Sequence, residues 1–207
     1  MKITIRKATE QDSDLIAWGM LKSSQAGKNK GVFHCVFETT DDQKVLKLLK
    51  RLAVTQTKSF CHFTNFIVAE ADGEPAGVLC GYEPRIATHE IFTKALEELG
   101  YDESYEERVA SYLLVKPEID KKTWMLDFMA VKEGFNEFSI LKEMVQKSLL
   151  NARLKGYRKA QTMIEIGSVE AKMTYEKLGF RYVDEKQSDY YKEQFGRAGI
   201  MRLQMDL

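Results

Sequence analysis

Nine consecutive residues, Thr123 to Val131 (TWMLDFMAV), are apolar at almost every position and carry one charge, Asp127. A strand of that kind has no face to give to water, so it predicts a central strand covered on both sides. Downstream, Ile140, Leu141, Met144, Val145, Leu149 and Ala152 recur at helical spacing before Gly156, and Ala160 to Gly167 (AQTMIEIG) reads as another strand. Together they form a βαβ unit, and the rest of the chain has to be arranged around it.

Ile3 and Ile5 alternate with polar residues as a short strand, and Thr9 with Asp12 resembles a helix start leading into Leu15, Ile16, Met20 and Leu21. A polar stretch, residues 23–31, precedes VFHCVF, and Val45, Leu48, Leu49, Leu52 and Ala53 mark a second helix. In NFIVAEADGEPAGVLCGY the Asp72-Gly73 dipeptide predicts a tight antiparallel hairpin. Two inserted helices follow within residues 84–120: Ile91 to Leu99, ended by Gly100, and a stripe of Tyr105, Val109, Tyr112 and Leu113 before Pro117. After the βαβ unit come a helix from Val169 to Leu178 stopped by Gly179, a strand from Phe180, an aromatic polar connection, and the alternating IMRLQMDL. The order βααββ(αα)βαβαββ predicts an α/β protein with one mixed sheet of about seven strands flanked by helices, residues 1–207 forming a single domain.

Lys plus Arg equals Asp plus Glu at 31 each, which leaves no positive excess for nucleic acid or an anionic membrane surface. The N-terminus MKITIRKATEQD lacks a secretory pattern and no apolar run is long enough to span a bilayer, so a cytoplasmic protein is expected. Three scattered cysteines, Cys35, Cys61 and Cys80, read as reduced thiols. The pairs His34-Cys35 and Cys61-His62 raise a metal site, but neighbours on a strand point to opposite faces and zinc needs about four ligands, so none is expected. A dinucleotide-binding oxidoreductase is disfavoured because no G-x-G-x-x-G opens a helix.

The C-terminal third, with WMLDFMAV and then SVEAKMTYEKLGF, resembles the fourth strand and the N-x-x-A-x-x-x-Y-E-K-L-G-F segment of the GNAT (general N-acetyltransferase) superfamily. ITIRKATEQDSDLI and VAEADGEPAGVL are similar to its earlier strands, so the resemblance spans most of the chain outside the insert. It implies transfer of an acetyl group from acetyl-CoA to a primary amine of a small molecule or peptide. Tyr175 takes the position of the tyrosine that protonates the departing CoA thiolate; read from the residues alone, it is first of all a buried phenol bonded to structure. Asp127 matches the carboxylate that takes a proton from the amine. A charge inside an apolar strand has its pKa raised by desolvation, although an ion pair with a helix cation would explain it as well. Glu165, on the following strand, faces either solvent or the same cleft, where it would orient substrate.

The resemblance also implies that Met129, Ala130 and Val131 pair with pantetheine amides and stabilise the oxyanion through main-chain N–H groups. Ser168 and Ala171, with Tyr175, fall in the segment that flanks the cofactor. Its R/Q-x-x-G-x-G/A diphosphate loop corresponds to Asn136, Glu137, Phe138, Ser139, Ile140 and Leu141, where the arginine and both small residues are replaced. Glu133 and Glu137 add negative charge near that loop, while Lys132 and Lys142 offer compensation. This departure keeps a second class open: a catalytically silent GNAT-fold protein that binds CoA weakly or serves as a ligand- or protein-binding module. The acceptor wall is expected among Trp18, Phe33, Phe37, Tyr190, Tyr191 and Phe195, which read equally as core or as the surface of a homodimer.

Overall fold

The computed structural model describes residues 2–207, built on seven strands in one sheet of order β1-β2-β3-β4-β5-β7-β6. The strands are β1 (Ile3–Lys7), β2 (Phe66–Ala71), β3 (Glu74–Tyr82), β4 (Thr123–Val131), β5 (Lys159–Glu165), β6 (Arg181–Gln187) and β7 (Gly199–Asp206). All pairs are antiparallel except β4 with β5. The β2–β3 hairpin turns at Asp72 (φ 51°) and Gly73 (φ 89°), the left-handed values a tight turn requires.

Helices cover both faces. On one lie α1 (Ser13–Gln25), α2 (Val32–Val36), α3 (Asp42–Leu52) and the insert; on the other lie α7 (Glu137–Leu154) and α8 (Val169–Lys177). β4 supplies Met125 to the first core and Trp124 and Leu126 to the second, which is why its sequence is apolar at successive positions. Ile140, Leu141, Met144, Val145, Leu149 and Ala152 make the buried stripe of α7. α1 presses closely onto the sheet at Gly19, where a Cβ would lie 2.2 Å from Val78 Cγ2.

Three stretches differ from the sequence-based expectation. VFHCVF forms α2 rather than an extended segment; His34 is buried at its N-terminus, taking the Gly31 N–H on Nδ1 at 3.1 Å and meeting Asp42 Oδ1 through Nε2 at 2.8 Å. A short run that is apolar at all but one position has no readable period, so tertiary burial decides its conformation. The insert contains three helices, α4 (His89–Glu97), α5 (Tyr105–Arg108) and α6 (Ala110–Val115), because the second predicted helix breaks at Val109. There the Gln194 side chain donates to the Arg108 carbonyl at 2.9 Å, displacing a helical partner. The aromatic connection before β7 is a helix, α9 (Asp189–Phe195), closed by left-handed Gly196. Its signals were present in the sequence: Ser188 before the first turn, Tyr191 and Phe195 four apart, and glycine at the end.

Candidate active site

β4 and β5 pair only at Thr123–Lys159, Trp124–Ala160 and Met125–Gln161, then diverge. The bend arises in β4 itself. Against β3, Ala130 faces Val78 and Asp127 faces Cys80, so Phe128 and Met129 oppose the one residue between them, a β-bulge with Phe128 at φ 48°. The extra residue also resets side-chain parity: Met125 and Phe128, an odd number apart, pack in the same core. Phe128 is held in that left-handed conformation by rings of Phe33, Phe60 and Phe66, with centroids 5.7, 6.1 and 6.2 Å away.

The divergence opens a cavity of about 880 Å³. Asp127 and the half-exposed Met129, Ala130 and Val131 line one wall; Thr162 to Glu165 of β5 form the other; Ser168, Ala171 and Tyr175 of α8 close the side. On its β3 side β4 is hydrogen-bonded, while its β5 side beyond Met125 has no strand partner. Such an edge inside a slot can accept an amide-bearing arm as an added strand.

Two groups on these walls have shifted proton affinities of opposite use. Burial pushes the Asp127 carboxyl up to about 6, against the opposing pull of the Phe128 N–H on Oδ1 at 2.8 Å and of nearby Lys116. Burial pushes the Tyr175 phenol up to about 12, with a Thr162 hydrogen bond working weakly the other way. Near neutral pH the first is an available proton acceptor and the second holds its proton as a donor. Tyr175 packs edge-on against Phe180 at 5.4 Å, which fixes its ring.

Glu165 borders the cavity with Oε1 engaged and Oε2 buried without a hydrogen-bond partner. Its Oε1 receives Lys28 Nζ and the Tyr191 hydroxyl, each at 2.6 Å, and Arg197 Nε lies 3.8 Å from Oε2. Lys28 also donates to the Phe195 carbonyl at 2.9 Å, so the carboxylate ties the end of α1 to α9. Burial and that carboxylate together hold the Tyr191 phenol well above its ordinary value.

The expected acceptor wall divides. Trp18, Phe33, Tyr191 and Phe195 line the cavity, whereas Phe37 is buried in the core beside Tyr101. Tyr190 is 72% exposed and lies outside the cavity, because in α9 its neighbour Tyr191 takes the inward position. Side chains that sequence reasoning did not single out also face the cavity: Phe60, Tyr82, Phe92, Tyr112 and Lys116. The insert residues among them carry no local pattern beyond a helical stripe, and Lys116 merely precedes Pro117.

At the mouth, only Glu137 and Leu141 of residues 136–141 reach the cavity, joined by Glu133. Asn136 is the N-cap of α7, and its Oδ1 accepts the Ser139 N–H at 3.0 Å, consuming a donor that could have met an anion. Phe138 points outward and Ile140 is fully buried. The slot therefore fits an extended amide arm, while the loop beside it is capped and acidic where a diphosphate would seek N–H groups and cations. Among the described residues, no group of three His, Cys, Asp or Glu side chains gathers as a metal site, and no helix is long and apolar enough to cross a membrane. His34 is occupied by Gly31 and Asp42, Cys61 is buried, and all three cysteines are free thiols.

No family model and no curated protein matches the sequence. Solved structures do match the fold. An N-acetyltransferase from Staphylococcus aureus Mu50 superposes with a TM-score of 0.71 at 17% identity, over 98% of this chain and 100% of the other. A GCN5-related N-acetyltransferase from Kribbella flavida gives 0.58 at 16% identity, over 99% and 98%. The PaiA N-acetyltransferase from Thermoplasma acidophilum in complex with coenzyme A gives 0.54 at 16%, over the whole of both chains. This chain has the fold of the GNAT acetyltransferases.

Proposed function

We propose that this chain transfers an acetyl group from acetyl-CoA to a primary amine of a small molecule or peptide by direct attack. The observation that carries the reading is the opening of β4 from β5 beyond Met125, with Asp127 on one wall and the phenol of Tyr175 at its side. Acetyl-CoA supplies, when bound, an activated acetyl carbon and a thiol leaving group, so that a C–N bond forms as the C–S bond breaks. Asp127, ionised above about pH 6, accepts the proton that the amine nitrogen loses, directly or through water. Tyr175 gives its proton to the departing sulfur. One proton thus passes from nitrogen to sulfur in total, and exchange with solvent restores both side chains. Main-chain N–H groups of Met129 to Val131 hold the pantetheine amides and polarise the thioester carbonyl. Ser168, whose buried hydroxyl lacks a protein partner, and Ala171 flank the same arm.

Binding and turnover test this separately. Acetyl-CoA should raise the melting temperature with increasing concentration, and a panel of amines should release free thiol. No shift and no thiol with any amine would end the reading. A second reading, a catalytically silent GNAT-fold protein that binds CoA weakly, draws on the Asn136 cap and the acidic mouth formed by Glu133 and Glu137. A melting shift without thiol release from any amine selects it.

A further inference from the structure

The insert end of the cavity is chemically unlike its mouth. Phe60, Tyr82, Phe92 and Phe128 form a continuous aromatic surface, with Phe60 5.1 Å from Phe92, 5.6 Å from Tyr82 and 6.1 Å from Phe128. Tyr105 extends it edge-on from Phe92 at 5.4 Å. Charge there is sparse: Asp127 from the sheet and Lys116 from the residue following α6. Glu106 is paired with His89, and Glu165 holds Lys28 on Oε1 while its buried Oε2 makes no hydrogen bond.

Lys116 is the unexplained group. It is partly buried and lines the cavity. Among the described residues its ammonium makes no side-chain hydrogen bond and no ion pair, and the charge of Asp127 reaches it through space. Desolvation lowers its proton affinity, as expected of a cation left without a contact anion. A lysine in that state is completed by an anionic group of a ligand. Asp127 and Lys116 therefore offer one negative and one positive partner beside a single aromatic surface. A polyamine or aminoglycoside carries no anionic group for Lys116. A simple arylalkylamine satisfies Asp127 and the rings but leaves Lys116 bare.

We propose that the acceptor is an α-amino acid with a large apolar, above all aromatic, side chain, its amino group at Asp127, its carboxylate at Lys116 and its side chain among Phe60, Phe92 and Tyr105. The inference rests on the acetyl-transfer reading and adds the substrate class. L-Phenylalanine and phenethylamine, which differ by the carboxylate alone, provide the test, with calorimetric binding and thiol release measured in parallel on the full chain. L-Phenylalanine should bind about 10- to 100-fold more tightly than phenethylamine. Lys116→Gln should remove that margin while changing phenethylamine affinity little, and Lys116→Arg, which keeps the charge, should retain part of it. Melting curves of both variants confirm that they fold. If wild type binds the two ligands equally, or if Lys116→Gln weakens both alike, the proposal is wrong and Lys116 acts on Asp127 through space only. If L-phenylalanine binds through Lys116 but releases no thiol, the acceptor site stands and acetyl transfer falls. If spermidine is acetylated and L-phenylalanine is not bound, transfer stands and this site falls.

Discussion

The two ends of the slot obey different physics. Around Asp127 and Tyr175 desolvation moves a carboxyl and a phenol in directions useful for proton transfer. At the mouth, residues 133–137 are solvated, charged and closed by their own cap, Asn136 on Ser139. Water screens charges at such a surface, so Glu133 and Glu137 weaken an approaching anion without abolishing its binding. On the acetyl-transfer reading proposed above, chemistry would be concentrated in the desolvated interior and donor recognition would rest on the main chain of β4, which substitution does not remove.

Removing one oxygen from the interior tests this contrast most severely. Tyr175→Phe should fold normally and lower kcat by about 10²- to 10⁴-fold in a thiol-release assay. An unchanged rate with chemistry limiting would take Tyr175 out of the mechanism.

Asp127→Asn should lower kcat/KM by about 10²-fold and flatten the limb of the pH–rate profile that rises through about 6. The same substitution carries a stability signature. Because burial raises the folded-state pKa above its unfolded value, Asp127 favours the folded state when protonated, and that contribution disappears as pH climbs through about 6. Melting temperatures should therefore be higher for Asp127→Asn than for wild type near pH 8 and similar near pH 3. A variant less stable at pH 8 would mean that the carboxylate has an ionic partner.

Glu165→Gln separates a strut from a substrate contact. With Lys28 left facing a neutral group, stability should fall by about 2–3 kcal/mol in denaturant titration, while KM for the amine holds. A large rise in KM at unchanged stability would restore the substrate-orienting role.

The smallest effect belongs to the mouth. Glu137→Gln should lower KM for acetyl-CoA by about 2- to 5-fold in low salt and less in high salt. A salt-independent change would show that the residue acts by shape rather than charge.

The βαβ unit, the Asp72-Gly73 hairpin and the alternation of β7 were readable because each depends on neighbours in sequence: periodicity, turn chemistry and a helix stop. Asp127 stood out as a charge in an apolar strand, while Tyr175 was singled out by its place in the segment that resembles the GNAT pattern. Where longer-range contacts decide, reading failed. α2 took a helical form under burial, Gln194 split the insert helix from 86 residues away, and α9 turned Tyr191 inward and Tyr190 out.

By itself the sequence determined the layered α/β architecture, since local pattern and hydrophobic burial suffice, whereas its resemblance to the GNAT pattern is what set Asp127 and Tyr175 apart as candidates. Tertiary structure alone decided that Phe128 bulges, that β4 leaves β5 after Met125, that Glu165 is occupied by Lys28, and that Lys116 faces the cavity unpaired. Strand divergence and charge pairing are properties of segments that meet only when the chain has folded, so no window along it contains them.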